Sequence, residues 1–224
     1  MLFRELQSLN IDFFQTAKGF INLLRDPGQT ESVHDIEDGL RQAKYTQVAI
    51  EYIQSQPGVK PLVEERYLAP PPNLDSLLEL PSNSLGYTYA SYLTKEGFDP
   101  NFYRTLNIED DTTYIMLRLR QTHDIWHLIT GFSTDVVGEL GLQAFILAQT
   151  RRPMAIVLLA GGLLRALIKS PEEMEKLLDR IAIGYRMGAK AKPFLAQKWE
   201  ENWEKPISQW RRELGVELAE VYTP

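Results

Sequence analysis

His123 and His127, two of the chain's three histidines, stand four residues apart in the stretch HDIWHLITGFSTDVVGE. Asp124 lies between them, and Glu139 follows His127 with eleven residues in between. Residues four apart on an α-helix share a face, with Cβ atoms about 5–6 Å apart, so both imidazoles can reach one ion. Asp124, three residues before His127, can lean toward the same ion or orient an imidazole from behind. Gly131 breaks the helix, and the chain can then turn so that Glu139 approaches from the following one. Two imidazoles with one or two carboxylates form a borderline donor set, suited to zinc, iron, cobalt or manganese. The competing reading is a chance spacing on a solvated face. Trp126, Leu128 and Ile129 weigh against it, because they make much of this helix apolar. A buried imidazole pair without partners is costly, whereas ligation satisfies both rings. His34 has no histidine at helical spacing and reads as a surface residue.

Arg118 and Arg120 lie just upstream, and Arg151 and Arg152 follow the Glu139 helix. Either they pair with the excess acids, or Arg118 and Arg120 steer an anionic headgroup toward the ion. Thirty acidic residues against 24 basic ones give a net charge of −6, which argues against a nucleic-acid partner. With no cysteine in the chain, disulfides and thiolate metal sites are excluded. The longest apolar run, Pro153 to Ile168, is too short to span a bilayer and contains Arg165. The N-terminal residues do not read as a signal peptide. A cytoplasmic protein is expected, at most touching a membrane surface.

The elements that must position these groups are helical. Ile36, Leu40, Ala43, Ile50 and Ile53 recur at helical spacing and predict one helix ending at QSQPG, after a first helical stretch that ends near LLRDPG. The proline-rich residues 55–84 predict an extended surface connector. A strong helix is expected over Asp111–Thr130, stopped by Gly131, with Ser133 or Thr134 capping the next one to about Gln149. Pro153 can open a further helix, and Ser170–Pro171 another. Trp199, Trp203, Ile207, Trp210 and Leu214 form a last stripe that Pro206 must kink or divide. No strand pattern, repeat or phosphate-binding glycine loop appears. A single all-α domain over residues 1–224 is expected, a helical bundle with a Pro-rich connector. Gly161 and Gly162 could thin a helix wall enough to admit a greasy tail.

HDIWHLITGFSTDVVGE also resembles the HD, two residues, H, eleven residues, E signature of the coenzyme Q (ubiquinone) biosynthesis family named for the fourth Coq protein. The resemblance extends through DDTTYIMLRLRQTHD, LPSNSLGYTYASY and AKPFLAQKWEENWEKPISQWRRELGV. This chain departs from the family's usual pattern at Leu119, Gln121 and Gln143, and DPGQTESVHDIEDG is a degraded form of the expected stretch. The resemblance implies an all-helical fold and a divalent metal, most often zinc, on His123, Asp124, His127 and Glu139. It implies involvement with prenylated ring intermediates, peripheral membrane contact and association with other quinone-pathway enzymes.

Two functions follow as expectations. In the first, a prenylated hydroxybenzoate loses its ring carboxyl group at the metal, which would make the protein a lyase, with Asp124 or Glu139 moving the proton. In the second, the protein is a non-catalytic isoprenoid-lipid carrier or scaffold for quinone-pathway enzymes. A helical HD-type phosphohydrolase fares worst, since only His34 is available as a further upstream histidine. The tryptophan-rich end could serve a homodimer interface as readily as a core.

Overall fold

The structure, a computed structural model, describes residues 12, 16, 18–22, 30–100 and 106–218. The helix end expected in LLRDPG lies outside these residues. Among the described residues the chain is helical without a β-strand, apart from an isolated bridge between Ser84 and Pro206. The all-α expectation therefore holds.

Two helices, α1 (Thr30–Leu40) and α2 (Lys44–Ser55), replace the single one expected there. Ile36, Leu40, Ala43, Ile50 and Ile53 are all buried, as their spacing requires. The break at 41–43 has a local cause. The Thr46 hydroxyl donates to the Leu40 carbonyl at 2.8 Å, a side-chain bond that competes with continued helix. The proline-rich connector also differs from expectation. It contains α3 (Val59–Glu65) and α4 (Leu74–Leu78), and Val59, Leu62 and Val63 are core residues. Pro61 is tolerated because it falls in the first turn of α3, where backbone amides have no helical acceptor.

Next come α5 (Leu85–Glu96), α6 (Asp111–Thr130), α7 (Val136–Thr150), α8 (Pro153–Lys169), α9 (Met174–Lys190) and α10 (Ile207–Leu214). The limits of α6 are those expected. The cap of α7 is Asp135 instead of Ser133 or Thr134. Asp135 accepts from the Gly138 amide at 2.8 Å, and Ser133 serves it by donating its own hydroxyl.

Two compact units share these helices, each drawn from separated parts of the chain. One unit comprises the helices up to Ile53 together with Ser133–Ala189. In it, Leu140 and Ala144 of α7 pack with Leu159 of α8 and Leu177 of α9, while Met154 and Leu158 of α8 meet Ile36 and Leu40 of α1. Close helix approach depends on glycine. A Cβ on Gly184 would lie 2.0 Å from the Gly141 carbonyl oxygen, and one on Gly162 would lie 2.4 Å from Leu140. Gly162 thus makes room for Leu140 of α7. Arg152 forms a buried ion pair with Glu37, and the Arg151 guanidinium stands 3.7 Å from the Tyr52 ring centroid. His34, expected at the surface, is buried at 6% exposure.

The other unit comprises Gln54–Phe132 and Lys190–Ala219. Its spine is a line of aromatic rings, Trp126–Phe194–Trp199–Trp210, with centroids 5.2, 5.4 and 4.6 Å apart. Trp199, Trp210 and Leu214 of the tryptophan-rich end are therefore core residues. Pro206 divides the stripe as expected, capping α10 after a short 3₁₀ turn at Trp199–Asn202.

Candidate metal centre

The histidine pair depends on an uninterrupted α6. At its start the Asp110 carboxylate accepts from the Thr113 amide at 2.8 Å while the Thr113 hydroxyl accepts from the Asp110 amide at 3.0 Å. This reciprocal box satisfies two amides that the helix leaves over. At its end Gly131 adopts a left-handed φ of 76° and donates to the His127 carbonyl at 2.8 Å. Between these stops His123 and His127 occupy successive turns, with ring centroids 4.8 Å apart and planes at 76°.

The two rings differ in setting. His127 is buried, whereas the His123 side chain is about a third exposed, at 34%. Nδ1 of His127 lies 2.9 Å from the Phe132 carbonyl oxygen. A carbonyl only accepts, so Nδ1 carries a proton, and in the neutral ring the lone pair sits on Nε2. That arrangement is typical of metal-ligating histidines, whose second nitrogen is fixed by an outer partner. Asp124 is at 37% exposure, with its carboxylate 3.8 Å from His123 Nδ1, an ion-pair spacing too long for a hydrogen bond.

Glu139 lies in the first turn of α7. The turn before it is tight. A Cβ on Gly138 would lie 2.0 Å from the Ser133 carbonyl oxygen, so only glycine fits. Burial pushes the Asp135 carboxyl up, but hydrogen bonds from the Gly138 amide, the Ser133 hydroxyl and the Val137 amide hold it below the usual range. Asp135 is thus a charged cap, favourable at a helix N-terminus. The sequence signal for this turn is the GE pair itself. The Phe132 carbonyl had no signal, because a backbone acceptor carries none.

The arginines separate. Arg118, at 1% exposure, donates from both terminal nitrogens to Glu200, and also from Nη2 to the Gln197 carbonyl at 3.1 Å. Its guanidinium ties α6 to the C-terminal segment, so the ion-pair alternative applies to Arg118. Arg120 is only partly buried. The two tyrosines near Arg118, Tyr67 and Tyr114, are not acid–base candidates at neutral pH. Burial, then the carboxylates of Glu200 and Glu201, push Tyr67 up to about 12, and burial pushes Tyr114 to about 12.

The model of the coenzyme Q (ubiquinone) biosynthesis protein Coq4 family matches residues 43–220. The chain belongs to the Coq4 family. A mitochondrial ubiquinone biosynthesis protein COQ4 homolog of Aedes aegypti is 31% identical over 152 residues, 66% of this chain and 54% of that protein. The mitochondrial ubiquinone biosynthesis protein coq4 of Aspergillus fumigatus is 36% identical over 148 residues, 64% of this chain and 50% of that protein. The chain spans about half the length of the curated relatives it matches. A crystal structure from Nostoc punctiforme, of a protein provisionally assigned to ubiquinone biosynthesis, superposes with a TM-score of 0.82 at 36% identity. That match covers 92% of this chain and 99% of the other. His123, Asp124, His127 and Glu139 all fall within the Coq4 match.

Proposed function

We propose that this Coq4-family chain holds a divalent metal ion on His123, His127 and Glu139, and with it removes the ring carboxyl group of a prenylated hydroxybenzoate in quinone biosynthesis. The observation that carries this reading is the His123–His127 pair, with the His127 tautomer set by the Phe132 carbonyl. Two neutral imidazoles and a carboxylate fit zinc, with iron, cobalt and manganese as the other suited ions. When bound, such an ion supplies Lewis-acid stabilisation of charge developing on the ring.

The chain's own residues do the rest. As the ring–carboxyl bond breaks, carbon dioxide leaves and the electron pair remains on the ring carbon, which then takes a proton. Asp124, partly exposed beside His123, is placed to exchange that proton with solvent, and Glu139 does so if it is not fully engaged by the ion. Arg120 takes the anionic headgroup in this scheme, while Arg118 serves the scaffold.

The test is elemental analysis of the purified protein, mass spectrometry of its co-purifying lipid, and a carbon dioxide assay with a prenylated hydroxybenzoate. The expected result is one divalent ion per chain, a bound prenyl lipid and release of carbon dioxide. Bound lipid and metal without carbon dioxide release would replace catalysis with a carrier role for partner enzymes of the pathway. Protein that binds no divalent ion would overturn the proposal.

Membrane contact belongs to the same proposal. Among the described residues, no helix is long and apolar enough to cross a membrane. However, α8 presents Ile156, Leu164, Leu167 and Ile168 to solvent, the last two at 61% and 64% exposure, beside the exposed Lys169. An apolar strip ending in a cation suits the surface of an anionic bilayer. Changing Leu167 and Ile168 together to glutamate should weaken binding to anionic vesicles at least tenfold, since burying each such side chain contributes about 1.5–3 kcal/mol. Equal co-sedimentation of variant and wild type would show that α8 is not the contact.

A further inference from the structure

The last turn of α6 carries His127, and the carbonyls of His127, Leu128 and Ile129 accept from groups beyond the helix. A helix leaves its last four carbonyls without intrahelical donors. Here the His127 carbonyl accepts from the Gly131 amide at 2.8 Å. The next two are taken by one side chain of α10. Arg211 donates from Nε to the Ile129 carbonyl and from Nη2 to the Leu128 carbonyl, each at 2.9 Å. The planar guanidinium matches two adjacent acceptors at once, and its charge complements the negative end of the helix dipole. Trp210 and Leu214, both buried, root α10 on either side of Arg211.

What this clamp holds matters for the histidine. The chain reverses at Gly131 and returns one residue later as Phe132, whose carbonyl oxygen meets His127 Nδ1 at 2.9 Å. The side chain of Leu218 covers that reversal, 2.8 Å from where a Cβ on Gly131 would stand. If the last turn frays, the Phe132 carbonyl leaves the ring. The imidazole proton is then free to move to Nε2, the nitrogen that must offer its lone pair.

We propose that Arg211 is a positioning residue for the metal centre: by clasping the Leu128 and Ile129 carbonyls it keeps the Phe132 carbonyl on His127 Nδ1, and so keeps the Nε2 lone pair facing the ion. This rests on the metal-site reading above, and its consequences for the ring are measurable without metal. Three variants separate the contributions. Arg211→Met keeps the apolar stem and loses both donors. Arg211→Lys keeps charge but cannot fork across two carbonyls. Leu214→Ala removes packing beneath α10 and leaves both Arg211 donors in place.

The ring-nitrogen NMR shifts of His127 are read in the metal-free protein at alkaline pH, and cobalt and zinc affinities are read by chelator competition. Wild type should show Nδ1 protonated. Arg211→Met should show a mixture of tautomers and bind metal about 10–100-fold more weakly, the usual cost of losing an outer-shell partner. Arg211→Lys should fall between, and Leu214→Ala should keep the wild-type tautomer even as its unfolding midpoint drops. An Arg211→Met protein with the wild-type tautomer and metal affinity, whatever its melting temperature, would overturn the assignment. If wild type binds no divalent ion, the metal-site reading fails, while the ring-nitrogen pattern still decides whether Arg211 sets the tautomer.

Discussion

Replacing His127 with alanine should abolish stoichiometric divalent-metal binding, with an affinity loss exceeding the roughly 10–100-fold that follows loss of an outer-shell partner. The substitution removes the proposed ligand nitrogen and the Nδ1–H bond to the Phe132 carbonyl together. Because His127 is buried, some loss of stability is also expected, of which the hydrogen bond accounts for about 1 kcal/mol. His123→Ala separates the two effects. Its side chain is 34% exposed, so it should cost little stability and still lose the metal. Metal content by elemental analysis and affinity by chelator competition check this, alongside urea unfolding. If His123→Ala and His127→Ala both retain a full equivalent of metal, the ion sits elsewhere.

The second large effect concerns Arg118. Arg118→Ala should destabilise the protein by about 3–5 kcal/mol, the cost of leaving one member of a buried ion pair behind. The Arg118 side chain is 1% exposed and that of Glu200 is 12% exposed, so the abandoned carboxylate would have little water to turn to. Exchanging both residues for methionine should recover most of the loss, since a buried pair is often replaceable by apolar groups of similar volume. Urea unfolding followed by tryptophan fluorescence reads the change through Trp126, Trp199 and Trp210, which lie in the same unit. A wild-type unfolding midpoint in Arg118→Ala, combined with impaired handling of an anionic substrate, would return Arg118 to the headgroup role and remove it from the scaffold.

These two residues mark the limits of sequence reasoning well. The spacing of His123 and His127 needed only the helical repeat, and the pair does lie on adjacent turns with its rings 4.8 Å apart. Arg118 and Arg120 were indistinguishable in sequence, because both are arginines on the same helix. Their fates differ through Glu200, 82 residues away, which no local pattern could pair with Arg118. His34 was misplaced for a similar reason, since burial is decided by what packs over a side chain and not by its neighbours in the chain. The helix drawn through Ala43 failed at a local detail, a threonine hydroxyl that bonds back to a carbonyl.

By itself the sequence determined the all-helical class, the extent of α6 with its glycine stop, and the positions of the imidazoles along it. Helix formation and capping are set by residues within a few places of one another, so these features are written locally. Only the tertiary structure decided that Arg118 is buried on Glu200, that Gly162 seats Leu140 and that the Phe132 carbonyl meets Nδ1 of His127. Arg118–Glu200 and Gly162–Leu140 join groups remote in sequence, and the Phe132–His127 bond depends on the path of the backbone around Gly131. Such contacts exist only once the chain has packed.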